Sequence, residues 1–319
     1  MTSKALILGA TGGIGGETAR QLQQTGWQIN ALTRRAQNRS KINWIVGDAL
    51  DPKAVSCAVQ DCQLILHAVN PPGYRDWDKL VLPMLENTLA AARQTSATVV
   101  LPGTLYNYGA DVFPLIDEAA PQHPVTRKGQ IRVKMEQRLR RFAEEGGRVI
   151  IVRAGDYFGP HAGNNWLAQG FIKPGRTITT IANPARVNVG HQWGYLPDVA
   201  ATITALVAIR ERLQPFENVH MAGHWDDDGR QMVTAICRVV KKYQLRTPKD
   251  RAFPWWLMRL LAPFQTTLKE LLEMQYLWQQ PVQLSNTRLL AVLGSEPHTP
   301  LEHAVEQTLL SLGCLPSTR

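Results

Sequence analysis

A glycine-spaced turn near the N-terminus constrains this chain more than any other feature. The apolar residues of Lys4–Leu8 predict a buried strand, and helical periodicity follows over Gly13–Thr25. The loop between them, Gly9–Gly15, reads GATGGIG. In a strand–turn–helix context its first glycine permits a tight turn, Gly12 lets the backbone approach a pyrophosphate, and Gly15 allows close helix packing. Because a helix N-terminus also favours an anion, the segment predicts a dinucleotide site.

Strands and helices alternate through the first half of the chain. Helical spacing of apolar residues predicts long helices over Asp76–Thr95 and Arg127–Glu145. Short apolar runs predict further strands over Gln28–Thr33, Trp44–Val46, Leu64–Ala68, Ala97–Leu101 and Arg148–Arg153. This alternation implies a parallel sheet covered by helices on both faces. We therefore expect an α/β fold, a Rossmann doubly wound parallel sheet.

The second half predicts a smaller C-terminal substrate-cap lobe. Residues 156–195 are rich in Gly, Asn, Pro and Trp, and the later helical segments are separated by prolines. We expect residues 1–159 to form the dinucleotide-binding domain, rejoined by about 191–214. Residues 160–190 and 215–319 then form most of the cap lobe. The apolar stretch Phe253–Leu261 is expected to be a packed cap helix or a subunit contact.

Composition excludes several classes of partner. The chain has 35 Lys and Arg against 26 Asp and Glu, a formal charge of +9, but the basic residues are dispersed, so no nucleic acid is expected. No run approaches about 18 apolar residues and no signal peptide precedes the first strand, so we expect a cytoplasmic protein without a membrane partner. The four cysteines lack paired metal spacing, and within the acidic run Asp226–Asp228 the last residue, Asp228, is expected to begin a helix, so no metal site is predicted.

The end of the second predicted strand indicates the cofactor. An NAD-specific site carries an acid there for the ribose 2′-hydroxyl, whereas this chain has Arg34 and Arg35. Two guanidinium groups can pair with a 2′-phosphate, which favours NADP over NAD; solvated surface arginines are the alternative. After the third strand, Asp48, followed by Ala49, is expected to contact the adenine, and Asp51 to cap a helix.

Further motifs in the same order complete a resemblance. They are His67-Ala68-Val69-Asn70, Gly103–Gly109, Arg153–Pro160, Leu196–Ala200 and Ser285–Gly294. On these residues the chain resembles the extended short-chain dehydrogenase/reductase family, the NAD-dependent epimerases/dehydratases, over nearly its whole length. The resemblance implies that the dinucleotide lies against Gly9, Thr11, Gly12, Gly13, Ile14, Ala68 and Asn70.

The catalytic residues depart from the family pattern. The family uses a Ser or Thr hydroxyl, a Tyr acid/base and a Lys four residues after that Tyr. The resemblance places Thr104 at the hydroxyl position and Lys134 at the Lys position, where it also holds the nicotinamide ribose. Gln130 then occupies the Tyr position, and an amide cannot shuttle a proton. The chain is therefore expected to be an atypical member.

Three interpretations of this departure stay open. The first is an NADP(H)-dependent oxidoreductase or epimerase-like enzyme that acts on a small carbonyl or hydroxyl compound. Its acid/base then comes from a neighbouring residue, with Asp156 a candidate because the family carries a substrate-contacting Asn there; the others are Tyr106, Tyr108, Tyr157 and His161. The second is a non-catalytic NADP(H)-binding regulatory or redox-sensing protein, and the third is a different helix register. A homodimer also stays open.

Overall fold

Strands and helices alternate along the chain broadly as predicted. The structure, a computed structural model, describes residues 3–37, 41–71, 76–162 and 165–316, apart from the side chains at 266, 267 and 270. The strands of this part are β1 (Lys4–Leu8), β2 (Gln28–Thr33), β3 (Asn43–Val46), β4 (Leu64–His67), β5 (Thr98–Gly103), β6 (Leu115–Ile116), β7 (Val149–Arg153), β8 (Asp156–Phe158), β9 (Thr180–Asn183), β10 (His191–Tyr195), β11 (Phe216–His220), β12 (His224–Asp226), β13 (Lys249–Ala252) and β14 (Gln283–Leu284). Its α-helices are α1 (Gly13–Gln24), α2 (Pro52–Ala58), α3 (Trp77–Thr95), α4 (Arg127–Glu144), α5 (Leu196–Ala208), α6 (Gln231–Lys242), α7 (Trp255–Leu261), α8 (Thr266–Leu272), α9 (Thr287–Leu293) and α10 (Leu301–Ser311).

A seven-stranded parallel sheet forms the larger part of the molecule. Its strands lie in the order β11-β7-β5-β4-β1-β2-β3, and every neighbouring pair is parallel. The strand order reverses between β1 and β4, so the loops that leave these two strands diverge at the carboxyl edge of the sheet. Such a switch point opens a crevice, and in doubly wound folds ligands bind there.

Helices cover both faces of this sheet. Because side chains alternate along a strand, Leu6 and Leu8 of β1 face the layer of α2, α3 and α4, whereas Ala5 and Ile7 face α1 and α5. All four side chains are at most 1% exposed. The two apolar cores fix the sheet between its helices, as the doubly wound prediction requires.

A smaller lobe stands over the carboxyl edge of the sheet. Its three-stranded sheet pairs β10 with β8 in parallel and with β12 in antiparallel order. Phe158, Trp193 and Trp278 are buried in its core, where the two tryptophan rings lie 5.7 Å apart. These aromatic side chains pack against one another and against α6 and α10. They therefore form the core of the lobe.

One strand of the main sheet lies where the sequence predicted the cap lobe. Residues 216–220 form β11, which pairs with β7 from Phe216 opposite Val149 to His220 opposite Arg153. The sequence does not predict this strand, because it contains polar residues. Glu217 is buried, and its carboxylate accepts two hydrogen bonds from Arg288, at 2.7 and 2.8 Å, and one from the Gln214 N–H at 3.2 Å. The chain thus returns to the main domain beyond residue 214.

The acidic run before α6 serves the start of that helix. The carboxylate of Asp226 accepts hydrogen bonds from the backbone N–H groups of Gln231 and Met232, at 2.9 and 3.1 Å. Asp228 accepts one from the N–H of Arg230 at 2.8 Å. These bonds satisfy backbone N–H groups at the start of α6, but Asp226, and not the predicted Asp228, accepts from the first two residues of the helix.

The helices of the described chain include none that is long and apolar enough to span a bilayer. The sequence predicted a packed cap helix or a subunit contact over Phe253–Leu261, the segment that includes α7. None of the residues of α7 is buried, which disagrees with a packed helix, and the subunit contact stays a prediction.

Candidate functional site

The glycine loop between β1 and α1 forms the floor of a cleft. Gly9 has φ of +95°, and a Cβ on it would collide with the carbonyl oxygen of Ala68 on the neighbouring β4 loop. A Cβ on Gly15 would collide with the carbonyl oxygen of Gly9 itself. The N–H of Gly12 donates to the Gly9 carbonyl at 2.9 Å, which closes the turn. Only glycine fits at Gly9 and Gly15, and the loop leaves the N-terminus of α1 open to the cleft.

The cleft follows the carboxyl edge of the sheet on both sides of this loop. Its volume is about 900 Å³. Its lining includes every predicted cofactor contact except Lys134, together with one of the predicted catalytic residues: Gly9, Thr11, Gly12, Gly13, Ile14, Arg34, Arg35, Asp48, Ala49, Ala68, Asn70 and Thr104. Strand order explains this convergence, because all of these residues follow carboxyl ends of adjacent parallel strands or lie in the first helix turn.

The β2 and β3 side of the cleft is basic. Arg34 and Arg35 directly follow β2 and are exposed. Asp48 lies opposite them after β3, where its carboxylate accepts a hydrogen bond from the Leu50 N–H at 3.0 Å. Asp51 caps α2 as predicted, accepting from the Lys53 N–H. The cleft therefore carries two guanidinium groups where an acid would mark the NAD-type ribose contact.

A neutral histidine closes the floor of the cleft. His67, the last residue of β4, is 2% exposed, and its Nδ1 lies 2.8 Å from the Thr88 hydroxyl. Burial, helped by the nearby charge of Arg132, lowers the pKa of His67 to about 3. The Thr88 hydroxyl donates to the Met84 carbonyl, so it accepts from Nδ1–H and leaves Nε2 as an unpaired acceptor.

The β5 and β7 side of the cleft collects the groups suited to chemistry. Thr104 follows β5, and its hydroxyl donates to the side-chain oxygen of Asn107 at 3.1 Å. Tyr157 of β8 donates to the carbonyl of Gly103 at 3.3 Å, and burial raises the pKa of its phenol to about 12. Thr104, Tyr157 and Arg132 all line the cleft. A hydroxyl, a protonated phenol and a guanidinium therefore converge on this side.

Helix α4 presents a different face from the one the sequence predicted. Gln130 and Lys134 are exposed and neither lines the cleft. Lys128 and Arg132 are instead buried, at 1% and 6% exposure, and they have the same spacing of four residues. A shift of two residues turns a helical side chain by about 200°, so the two pairs lie on opposite faces.

Apolar packing fixes this register. Ile131, Met135 and Leu139 bury the inner stripe of α4 against the sheet. That stripe brings Arg132 to the cleft, where its Nη2 donates to the side-chain oxygen of Asn70 at 3.2 Å and its guanidinium lies 5.3 Å from the Trp77 ring centre. The prediction of Gln130 and Lys134 as site residues was wrong, and the inner face of α4 carries Lys128 and Arg132 instead.

Asp156 points away from the cleft. Its carboxylate lies 2.9 Å from Nε2 of His191, which is 2% exposed and stacks on the Trp278 ring at 3.6 Å. Because neighbours on a strand face opposite sides, Tyr157 rather than Asp156 reaches the cleft. The structure therefore joins Asp156 to the cap core and not to Thr104.

A buried ion pair that the sequence did not predict supports the site from below. Arg153, at the end of β7, is fully buried and donates to both carboxylate oxygens of Glu136 at 2.8 and 2.9 Å. The same guanidinium donates to the carbonyl of Thr104 at 2.5 Å. Lys128, Arg132 and Glu136 are spaced four residues apart, so they lie on one face of α4. This row of charged residues was the signal in the sequence for an inward charged face of the helix.

Comparison with known proteins identifies the family to which this chain belongs. The fold and the cleft define a Rossmann-type α/β protein of the doubly wound class. The model of the NAD dependent epimerase/dehydratase family matches residues 5–221, and the chain belongs to that family. A curated relative, serine 3-dehydrogenase from Agrobacterium fabrum, is 35% identical over 81 residues. That match covers 25% of this chain and only 32% of the dehydrogenase's length.

Solved structures resemble the whole chain. UDP-glucose 4-epimerase from Brucella ovis, in complex with NAD, is 16% identical with a TM-score of 0.74 over 98% of each chain. The enzyme WbmH from Bordetella bronchiseptica, in complex with NAD+, is 15% identical with a TM-score of 0.71, also over 98% of each chain. At these identities the similarity establishes the fold alone.

Proposed function

We propose that this protein is an NADP(H)-dependent oxidoreductase that reduces a small carbonyl compound. The observation that carries the proposal is the pair Arg34 and Arg35 on the β2 side of the same cleft whose far side holds Thr104 and Tyr157. A dinucleotide spans such a cleft in related folds, and relatives of this fold were solved with NAD bound. An epimerase-like reaction would use the same cleft and the same hydride chemistry.

The residues of the cleft themselves suit a dinucleotide, apart from any similarity to known structures. Gly9 and Gly12 leave the floor without side chains, and the N-terminus of α1 supplies N–H groups and a positive dipole for a pyrophosphate. Asp48 offers an acceptor for the adenine amino group, and the two arginines match a 2′-phosphate. Arg132, on the inner face of α4, would take the ribose contact that the family gives to Lys.

The cofactor preference has a direct test. Removing both guanidinium groups in Arg34→Ala/Arg35→Ala should weaken NADPH binding at least about 150-fold, since each of the two charged hydrogen bonds contributes about 1.5 kcal/mol or more. NADH binding should change less than about threefold. Both are measured by fluorescence titration, with Arg246→Ala, an exposed arginine of the cap, as the control. Equal losses for the two cofactors would overturn the preference.

The β5 side carries the groups that we assign to proton transfer during the reduction. The nicotinamide supplies a hydride to the substrate carbonyl carbon when it is bound in reduced form. The Thr104 hydroxyl lines the cleft and would turn from Asn107 to donate to the substrate oxygen, and the Tyr157 phenol, whose pKa burial raises to about 12, is protonated at neutral pH. Its phenol can therefore give the proton that the new hydroxyl needs, and solvent restores it.

This assignment of the proton donor can be tested before the substrate is identified. NADPH consumption is followed with a panel of small aldehydes and ketones. Tyr157→Phe should lower kcat at least about 100-fold while the Kd for NADPH stays within about twofold, because a general acid acts only in the transition state. Tyr106→Phe serves as the control, since Tyr106 does not line the cleft. Unchanged turnover in Tyr157→Phe would exclude this role.

A second candidate function rests on the absence of a tyrosine from α4. If the buried Lys128 occupies the position that the family gives to its acid/base Tyr, the protein lacks that proton donor, which favours a non-catalytic NADP(H)-binding regulatory or redox-sensing protein. In that case the wild-type protein binds NADPH but consumes none with any member of the panel. Lys128→Tyr combined with Arg132→Lys would then restore the family's residue pair, and turnover gained by this double variant would support the regulatory role.

A further inference from the structure

An outward apolar face on the cap lobe is not explained by the cleft. It consists of Trp256, Leu257, Leu260, Leu261 and Phe264, on α7 and the turn that follows it; we refer to it as the α7 surface. These side chains are 69%, 36%, 63%, 41% and 84% exposed. Large apolar side chains clustered in this way are rare on a monomer and mark contact surfaces.

The five residues lie on one side of the segment. Trp256, Leu260 and Phe264 are spaced four residues apart, as are Leu257 and Leu261, so they form adjacent rows along one helical face. Trp255 holds the opposite side to the cap. Its indole N–H donates to the Pro184 carbonyl at 3.1 Å, and its ring lies 5.8 Å from Trp166. The lobe therefore presents this face to the outside in a fixed orientation.

The charged residues within the α7 segment are basic. From Arg251 to Lys269 the sequence contains no Asp or Glu; Arg259 lies among the apolar residues, and Arg251 and Lys269 stand at the two ends of the stretch, with Glu270 directly after it. All three basic side chains are exposed. Asp250, just before this stretch, already pairs with Arg230 at 3.1 Å. A partner with an apolar interior and negative charge at its boundary would therefore complement this segment.

We infer that the α7 surface rests on a bilayer that carries anionic lipid. Trp and Phe with flanking Arg and Lys suit the boundary between headgroups and acyl chains, and a helix of seven residues lies in that boundary without crossing it. A second copy of this chain fits less well. A two-fold contact across this face would bring Arg259 of one copy near Arg259 of the other, and residues 255–264 contain no carboxylate to pair with them.

This inference revises the expectation that no membrane takes part. Within Phe253–Leu261 the sequence offers one basic residue, Arg259, which favoured a packed helix or a subunit contact. The structure exposes the apolar face, and Arg251 and Lys269, which precede and follow it in the chain, are exposed as well. The surface is also close to the cleft, since Trp166, which packs on Trp255, follows Asn165 of the cleft lining. The inference does not depend on the cofactor or the reaction.

The test is cosedimentation of the whole protein with vesicles. Wild type should sediment with phosphatidylglycerol–phosphatidylcholine vesicles and markedly less with pure phosphatidylcholine. Leu260→Asp should lower the partition coefficient at least about tenfold, because it places a charge in the centre of the apolar face. Val46→Asp is the matched control, since Val46 on β3 is also 63% exposed and lies outside the cap. That variant should partition like the wild type.

Three outcomes overturn the inference. One is a wild-type protein that stays in the supernatant with anionic vesicles. Another is an equal loss of sedimentation in Leu260→Asp and Val46→Asp, which would make the effect one of net charge alone. The third is a concentration-dependent dimer in light scattering that Leu260→Asp abolishes, because a second copy would then cover the α7 surface. NADPH binding by both variants reports separately on the cleft.

Discussion

Truncation of Arg132 to alanine tests which face of α4 serves the cleft. The Arg132 side chain is 6% exposed, lies 3.2 Å from the Asn70 side-chain oxygen and stacks over Trp77. If it also holds the bound cofactor, Arg132→Ala removes one charged hydrogen bond, which contributes about 1.5–3 kcal/mol. This corresponds to NADPH binding weakened roughly 10- to 150-fold.

The matched control lies two residues further along the same helix. Lys134 is exposed and does not line the cleft, so Lys134→Ala should leave the Kd for NADPH within about twofold. Fluorescence titration measures both variants, and circular dichroism verifies that α4 is intact. Arg132→Lys keeps the charge and should recover part of the affinity. A larger loss in Lys134→Ala than in Arg132→Ala would refute the helix register described above.

Three further predictions concern stability and the loop. The pKa of His67 is about 3 in the folded protein and near 6.5 in the unfolded chain. Below pH 6.5 the unfolded chain therefore binds a proton that the folded protein does not, and the free energy of unfolding falls as the pH is lowered. In urea titrations wild type should lose about 2 kcal/mol more than His67→Gln between pH 7 and pH 5, while His303→Gln, on the surface, behaves like wild type. Glu136→Gln leaves Arg153 buried without its carboxylate and should cost about 3–5 kcal/mol of unfolding free energy, whereas loss of the exposed Arg138–Glu86 pair in Arg138→Ala costs at most about 1 kcal/mol. Gly15→Ala should abolish NADPH binding in the same titration, because its Cβ would collide with the Gly9 carbonyl; binding retained at wild-type affinity would contradict this packing.

The cofactor side of the site was predictable because its signals are local. The glycine loop, the arginines after β2 and Asp48 after β3 each sit at a fixed offset from a strand end. In a parallel sheet all of these ends meet at one edge, so residues distant in sequence converge whatever the details of side-chain packing. The edge strand β11 escaped prediction, because its buried Glu217 becomes acceptable only when Arg288 pairs with it.

The catalytic side required the tertiary structure. The choice between the pairs Gln130/Lys134 and Lys128/Arg132 depends on the rotation of α4 about its own axis, since both pairs have the same spacing. A family motif missing its tyrosine cannot set that rotation. The apolar stripe Ile131, Met135 and Leu139 sets it, by packing against the sheet.

By itself the sequence determined the doubly wound fold, the phosphate-loop geometry and the cleft residues at the strand ends, because periodicity and glycine spacing act over short distances along the chain. Only the tertiary structure decided which face of α4 enters the cleft, that Tyr157 and not Asp156 reaches it, and that the α7 surface stays uncovered. Each of these depends on what lies opposite a side chain in space, and burial is a property of the whole fold.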